Sequence, residues 1–266
     1  MTTKRLPTGL TEVQAVYSGP EGNLWELIMG EQIHIGGFQQ SMVLAEKAGI
    51  KAGETVVDFC CCLGAGVRFL AKNFKTKGIG VDGTAHVIEE AKKRATAEGV
   101  SAEFHLSDVT KVPLADGIAD VVWGEDAWCY VDDKNKLISE AARVLKKGGR
   151  IAFSDWIEGP KGLSDAEADR INGFMKFPYM ECLDGYKKLL VANGFKIISA
   201  EDEGPHFAEC IQLYLDMLTK QLTYDALKII GDNMEMMGAM GGEMVNMLEM
   251  AKAGKFSRGR FVAVKE

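Results

Sequence analysis

Thr55-Val-Val-Asp-Phe-Cys-Cys-Cys-Leu-Gly-Ala-Gly66 decides the fold of this chain. A short, β-branched, apolar run ends in an aspartate and passes into a glycine-bearing turn. That pattern reads as a buried strand handing the chain to a helix, here expected over Val67 to Phe74. The same cadence repeats outward. Gly78-Ile-Gly-Val-Asp82 reads as a second strand and His86 to Ala97 as the helix after it; Ala102 to Leu106 reads as a third strand and Ala119 to Gly124 as a fourth. A helix through Asn135 to Leu145, stopped by Lys146-Lys-Gly-Gly149, leads to a fifth strand at Arg150 to Asp155. Strands alternating with helices of this length specify parallel βαβ units in a doubly wound α/β sheet. Helices are further expected over Ala166 to Phe174 and Leu183 to Ala192, then a strand from Phe195, unbroken helix over 205–253 and a last strand from Arg260. The expected whole is a Rossmann-like, mostly parallel seven-stranded sheet in one domain (1–266). It comprises an N-terminal helical lid (1–45), a core (46–157) and a second side (158–266) with its helical cap before the last strand.

Composition removes several functions. The 266 residues are 47% hydrophobic and 26% charged, ordinary values for a folded soluble chain. Lysine and arginine number 31 against 38 acids, a net charge of −7, which argues against nucleic acid or an anionic membrane as partner. No apolar run approaches a membrane span and the first residues lack a signal-peptide core, so a cytoplasmic location is expected. The six cysteines show no CxxC pair; no metal site and no disulfide framework are expected. The Met-rich stretch from Met217 to Met250 reads as adaptable packing.

Ligands of doubly wound sheets sit at the carboxyl ends of the strands. Acids stand there in sequence: Asp58 after the first, Asp82 before Gly83 after the second, Asp108 before Val109 after the third, and Glu125-Asp126 after the fourth. An acid ending the second strand can accept both ribose hydroxyls, and one after the third can accept an adenine amino group. A dinucleotide would require GxGxxG, which is missing, and an acidic crevice repels pyrophosphate. S-adenosyl-L-methionine, with adenine, ribose and a sulfonium but no phosphate, suits the pattern, S-adenosyl-L-homocysteine being its product.

Trp25-Glu-Leu-Ile-Met-Gly-Glu-Gln-Ile-His-Ile-Gly-Gly37, Trp123-Gly-Glu-Asp-Ala-Trp128, Arg143-Val-Leu-Lys-Lys-Gly-Gly149 and the tail from Ala253 carry a further signal. On these the chain resembles class I S-adenosylmethionine-dependent methyltransferases, in particular the sarcosine/dimethylglycine and phosphoethanolamine N-methyltransferase group. The resemblance implies methyl transfer to a small-molecule acceptor, foremost the nitrogen of an amino acid such as glycine, sarcosine or dimethylglycine. A thiol, carbon or oxygen acceptor, or a non-catalytic binding protein, are the alternatives, and oligomeric state, a homodimer included, is left open. The family turn Asp-x-Gly-x-Gly-x-Gly places Asp58, Cys60, Cys62 and Gly64 on the cofactor, with cysteine at the first two glycine positions. Catalytic roles carry over to Tyr17, Asp126 and His34, and to Tyr130, which stands where the phosphobase enzymes use histidine. An aromatic cage is expected from Trp128, Tyr130 and Tyr179, with Trp123 and Trp156 divided evenly between cage and core, and an anion-binding role from Lys176 and the basic tail Lys255 to Arg260. Tyr17 is expected in a flexible lid segment.

Overall fold

The computed structural model of the protein describes residues 5–266. Strand β1 (Thr55–Phe59) is buried on both faces, with Val57 and Phe59 in one core and Val56 in another, as a central parallel strand must be. Four more strands run parallel in one sheet with it: β2 (Lys77–Asp82), β3 (Ala102–Leu106), β4 (Ala119–Glu125) and β5 (Leu145–Glu158). Strand β7 (Phe195–Asp202) forms the far edge, and β8 (Phe256–Lys265) inserts antiparallel between β5 and β7. The order is β3-β2-β1-β4-β5-β8-β7. The expected seven strands are joined by an eighth, β6 (Glu181–Cys182), which pairs with the end of β5. Two residues carry no periodicity, so a sequence pattern cannot announce them.

Crossovers are made by α4 (Ala65–Phe74), α5 (Ala85–Ala97) and α6 (Lys134–Val144). The chain moves outward from β1 to β3, then returns across β1 to β4. That reversal opens a crevice at the carboxyl ends of β1 and β4, where the site lies.

Three helices precede the sheet: α1 (Leu10–Tyr17), α2 (Pro20–Met29) and α3 (Gly37–Ala48). The expected flexible lid segment is a correction, because Tyr17 closes α1, Ser18-Gly19 turns, and Pro20 opens α2 from a first-turn position where its missing N–H costs nothing. Leu24, Trp25 and Ile28 of α2 then bury into the cap core.

Helices α7 (Asp165–Met175) and α8 (Leu183–Ala192) follow β5 and β6. The expected unbroken helix over 205–253 is instead α9 (Gly204–Asp216), a π-helical turn (Met217–Gln221), α10 (Thr223–Ile229) and α11 (Met234–Lys252). The break before α11 has a backbone cause: Gly231 and Asp232 both take positive φ, and Asn233 then caps α11 by accepting from the Met236 N–H at 2.9 Å. Met240, Met244 and Met247 are buried against α9, whereas Met234 is exposed, so the methionines are packing on one face only. No helix among the described residues is long and apolar enough to cross a membrane.

Candidate active site

The strand-end acids meet in one place. Asp58, Asp82, Asp108, Glu125 and Asp126 all line a cavity of about 320 Å³ at the carboxyl edge of the sheet, together with Gly83, Val109, Cys60 and Cys62. Lid residues Tyr17, Gln32, Ile33 and His34 close it from α1 and the loop before α3.

The turn after β1 has an unusual backbone. Cys60 (φ 62°), Cys62 (φ 46°) and Gly64 (φ 68°) all occupy the left-handed region, so the cysteines adopt a conformation glycine holds freely. This curl aims the Cys62 N–H at Asp82 Oδ2 (3.0 Å), while the Thr84 N–H donates to Asp82 Oδ1 (2.8 Å). Asp82 is thereby fixed, and each oxygen retains acceptor capacity for a ligand. Gly64 lies beneath rather than on the cavity, since a Cβ there would meet the Phe104 ring at 2.7 Å. Gly66 opens the floor, because a Cβ there would stand 2.8 Å from Asp58 Oδ2.

Crowded acids shape the electrostatics. Burial, then Glu125 and Asp82, push the Asp58 carboxyl well above its usual range, and burial also raises Asp82 against the opposing Thr84 and Cys62 N–H bonds. The thiols of Cys60 and Cys62 are raised by burial and by Asp82, which keeps them protonated. A cationic ligand would relieve this repulsion; a phosphate would aggravate it. A ligand with a ribose diol, a purine edge and a positive centre therefore fits these donors and acceptors, and a pyrophosphate does not.

At the other end, the Tyr17 and Tyr130 hydroxyls meet at 3.0 Å with their rings edge to face. Burial raises both phenols well above their usual range, so neither accepts a proton at neutral pH. His34 is buried with Nδ1 3.2 Å from the Ile35 carbonyl and Nε2 3.0 Å from Ser41 Oγ. Ser41 in turn donates to Glu125 Oε2 at 3.1 Å, and Glu125 Oε1 lies 3.3 Å from His34 Nε2 without hydrogen-bond alignment. Asp126 takes positive φ (52°) and both its oxygens are engaged, Oδ1 by Arg258 Nε at 2.7 Å and Oδ2 by the Ile35 N–H at 2.8 Å. Burial works to raise its carboxyl, but Arg258, His34 and the Ile35 N–H outweigh it and hold it low.

Four expected acceptor residues lie away from the cavity. Trp128 is fully buried against Phe153, its indole N–H donating to the Phe59 carbonyl at 3.3 Å. Trp156 is buried among Phe177, Phe207 and Phe256 in the cap core. Tyr179 covers the Lys134 ammonium at 3.8 Å, and Lys176 caps α7 through the Gly173 carbonyl at 3.0 Å. The basic tail is likewise committed, Lys255 to Glu167 and Arg258 and Arg260 to Glu203. Trp123, split in the sequence between cage and core, is both: it is fully buried, yet it touches the cavity and donates to Glu125 Oε2 at 3.1 Å.

Sequence reasoning missed Gln32, Ser41 and the pairing of Arg258 with Asp126. The available signal was Arg258-Gly-Arg260 inside an otherwise apolar strand, since a guanidinium buried there needs a carboxylate.

Residues 57–153 match a family model described as a methyltransferase domain. Phosphoethanolamine N-methyltransferase 1 of Arabidopsis thaliana is 27% identical over 198 residues, 74% of this chain and 40% of the relative. The chain thus spans about two fifths of the length of that relative. Phosphoethanolamine N-methyltransferase 2 of Haemonchus contortus, solved with phosphomonomethylethanolamine and S-adenosylhomocysteine, superposes with a TM-score of 0.86 at 21% identity, covering 96% of this chain and 59% of that one. A proposed sarcosine dimethylglycine methyltransferase from Galdieria sulphuraria gives 0.85 at 17% identity, covering 95% and 99%. At these identities the structural likeness speaks for the fold, and the family match for the core. Residues 57–153 thus carry the likeness to a methyltransferase domain, and the acid-lined cavity lies at the carboxyl edge of their sheet.

Proposed function

We propose that the chain is a cytoplasmic S-adenosylmethionine-dependent methyltransferase acting on a small amine. The observation that carries this reading is the convergence of strand-end acids with the Tyr17–Tyr130 pair on one phosphate-averse cavity. Asp82, held by two N–H donors, would take the ribose hydroxyls, Asp108 with Val109 would face the adenine, and Asp58, Glu125 and the Cys60–Cys62 turn would surround the methionine part. When bound, the cofactor supplies a methyl group on a sulfonium with a good leaving group.

The chain's own work is then alignment and exclusion of water. The phenol pair spans the cavity from the lid to the turn after β4 and would orient the acceptor. An acceptor nitrogen with a free lone pair would be needed to take that methyl group. Among the described groups at this end, Asp126 is held low, the phenols are held high and both His34 nitrogens face protein partners, so none is poised as a general base. The amine therefore has to arrive unprotonated, losing its proton to solvent beforehand. In this reading residues 5–45 act as lid and 46–157 would hold the cofactor, while 158–266 puts no residue on the cavity and backs the acceptor side, Phe177 packing on Tyr130.

Purified protein incubated with S-adenosylmethionine and a panel of amines, thiols and phenols tests the reading through S-adenosylhomocysteine release. Release with amines is expected. Release with thiols or phenols alone replaces the acceptor, and no release with any acceptor removes the activity.

A further inference from the structure

We infer, resting on the amine reading above, that the acceptor carries no phosphate or carboxylate and is held by its nitrogen and its apolar body alone. The cavity is lined by seven carboxylates against one lysine among the described residues, Lys136, which is exposed on the first turn of α6 beside Asp133. The other cations that a sequence reading would send to an anionic acceptor lie outside that lining and are engaged elsewhere, Arg260 with Glu203 and Gln40. Lys176 turns back to the Gly173 carbonyl, Lys255 pairs with Glu167 at 2.6 Å, and Arg258 spends its guanidinium on Asp126, Glu203 and Ser154. His34 presents no free ring nitrogen to the cavity either.

The wall around the phenol pair is neutral in the same region. Ile33 and Tyr130 back onto the cap core, and the Tyr130 ring packs edge to face on Phe177 at 4.9 Å, with Trp156 beyond it. A phosphate or carboxylate placed there would lose its water, find no cation and face the carboxylates of the cavity, a cost that attraction elsewhere does not return. An amine meets no such penalty: the neutral nitrogen that transfer requires carries no charge for the lining to repel, and the negative lining and phenol faces suit the alkylated ammonium product.

Calorimetric titration of the protein saturated with S-adenosylhomocysteine decides this with acceptors paired by the presence or absence of an anionic group, affinities and rates being expressed per neutral amine. The pairs are N-methylethanolamine with its phosphate ester, and sarcosinamide with sarcosine. In each pair the member without the anion should bind at least about tenfold more tightly, and initial rates with S-adenosylmethionine should follow the same order. Equal or tighter binding of the phosphate or carboxylate member in either pair, or binding of neither member of both pairs, overturns the inference. The methyltransferase reading fails separately, and visibly, if S-adenosylhomocysteine itself does not bind or if only non-amines support its release.

Discussion

The two halves of the cavity wall were built under different constraints. The half proposed for the cofactor hangs on strand ends, where parallel pairing fixes the position of every residue. Asp58, Asp82 and Glu125 could land only at the carboxyl edge once β1, β2 and β4 were in register. The acceptor half hangs on helices and loops whose packing partners are far away in sequence. Trp128 follows β4 as the acids do and Trp156 lies near the carboxyl end of β5, yet both turn into cores, because a large ring gains more from burial against Phe153 or Phe207 than from lining a wet cavity. Strand ends deliver small polar side chains to the site; aromatic neighbours are claimed by the interior.

The largest effect that sharpens this contrast concerns Trp156. As a core residue, Trp156→Ala should cost about 3–5 kcal/mol of folding stability, read by thermal or chemical denaturation. Affinity of the remaining folded protein for S-adenosylhomocysteine should hold. A stable variant with impaired acceptor binding would restore Trp156 to a cage.

Asp82 should behave in the opposite way. Asp82→Ala removes a charged bidentate acceptor from the cavity, costing roughly 1.5–3 kcal/mol of cofactor affinity, or about 10- to 150-fold. Calorimetry showing unchanged affinity would break the assignment of the ribose to β2.

Tyr17→Phe deletes one hydroxyl of the 3.0 Å pair and should lower kcat about 10- to 100-fold, ~1.4–2.7 kcal/mol, with cofactor affinity kept. Tyr130→Phe should match it, and the double variant should be less than additive because the hydroxyls act as a unit. Full turnover with reduced stability would make the pair structural.

The absence of a poised base predicts a pH profile that belongs to the acceptor. Below the amine's own pKa, kcat/KM should rise about tenfold per pH unit and then level off at that pKa, shifting when an acceptor of different pKa is used. A midpoint that stays constant across acceptors would reveal an enzymic base.

The smallest effect is at the cysteine turn. Cys60→Gly and Cys62→Gly relieve left-handed strain of ~1–2 kcal/mol each but add backbone entropy to the unfolded chain, ~0.5–1 kcal/mol each. Stability should therefore rise by about 1 kcal/mol or less per change, with cofactor affinity held or improved; a marked loss of affinity would show that the thiols themselves contact the ligand.

The same contrast explains what was legible in the sequence. The βαβ core and the sheet-edge acids were readable because short, largely apolar runs alternating with helix crossovers leave few alternatives. Tyr17 was located by its offset from the Trp25–Gly37 segment, and its meeting with Tyr130 follows from the lid folding over the turn after β4. The cap reads as a single helix because methionine and leucine recur on both sides of 230–233, while the break is made by two positive-φ residues, Gly231 and Asp232. The Arg258–Asp126 pair joins positions 132 residues apart, and no local pattern encodes such a pairing.

The most direct test of the account is calorimetric titration of the intact protein with S-adenosylmethionine, S-adenosylhomocysteine and NAD. An acid-lined, phosphate-averse cavity predicts saturable one-to-one binding of the first two, mutually competitive, and no binding of NAD. Binding of NAD, or failure of both sulfur ligands to bind, would contradict it.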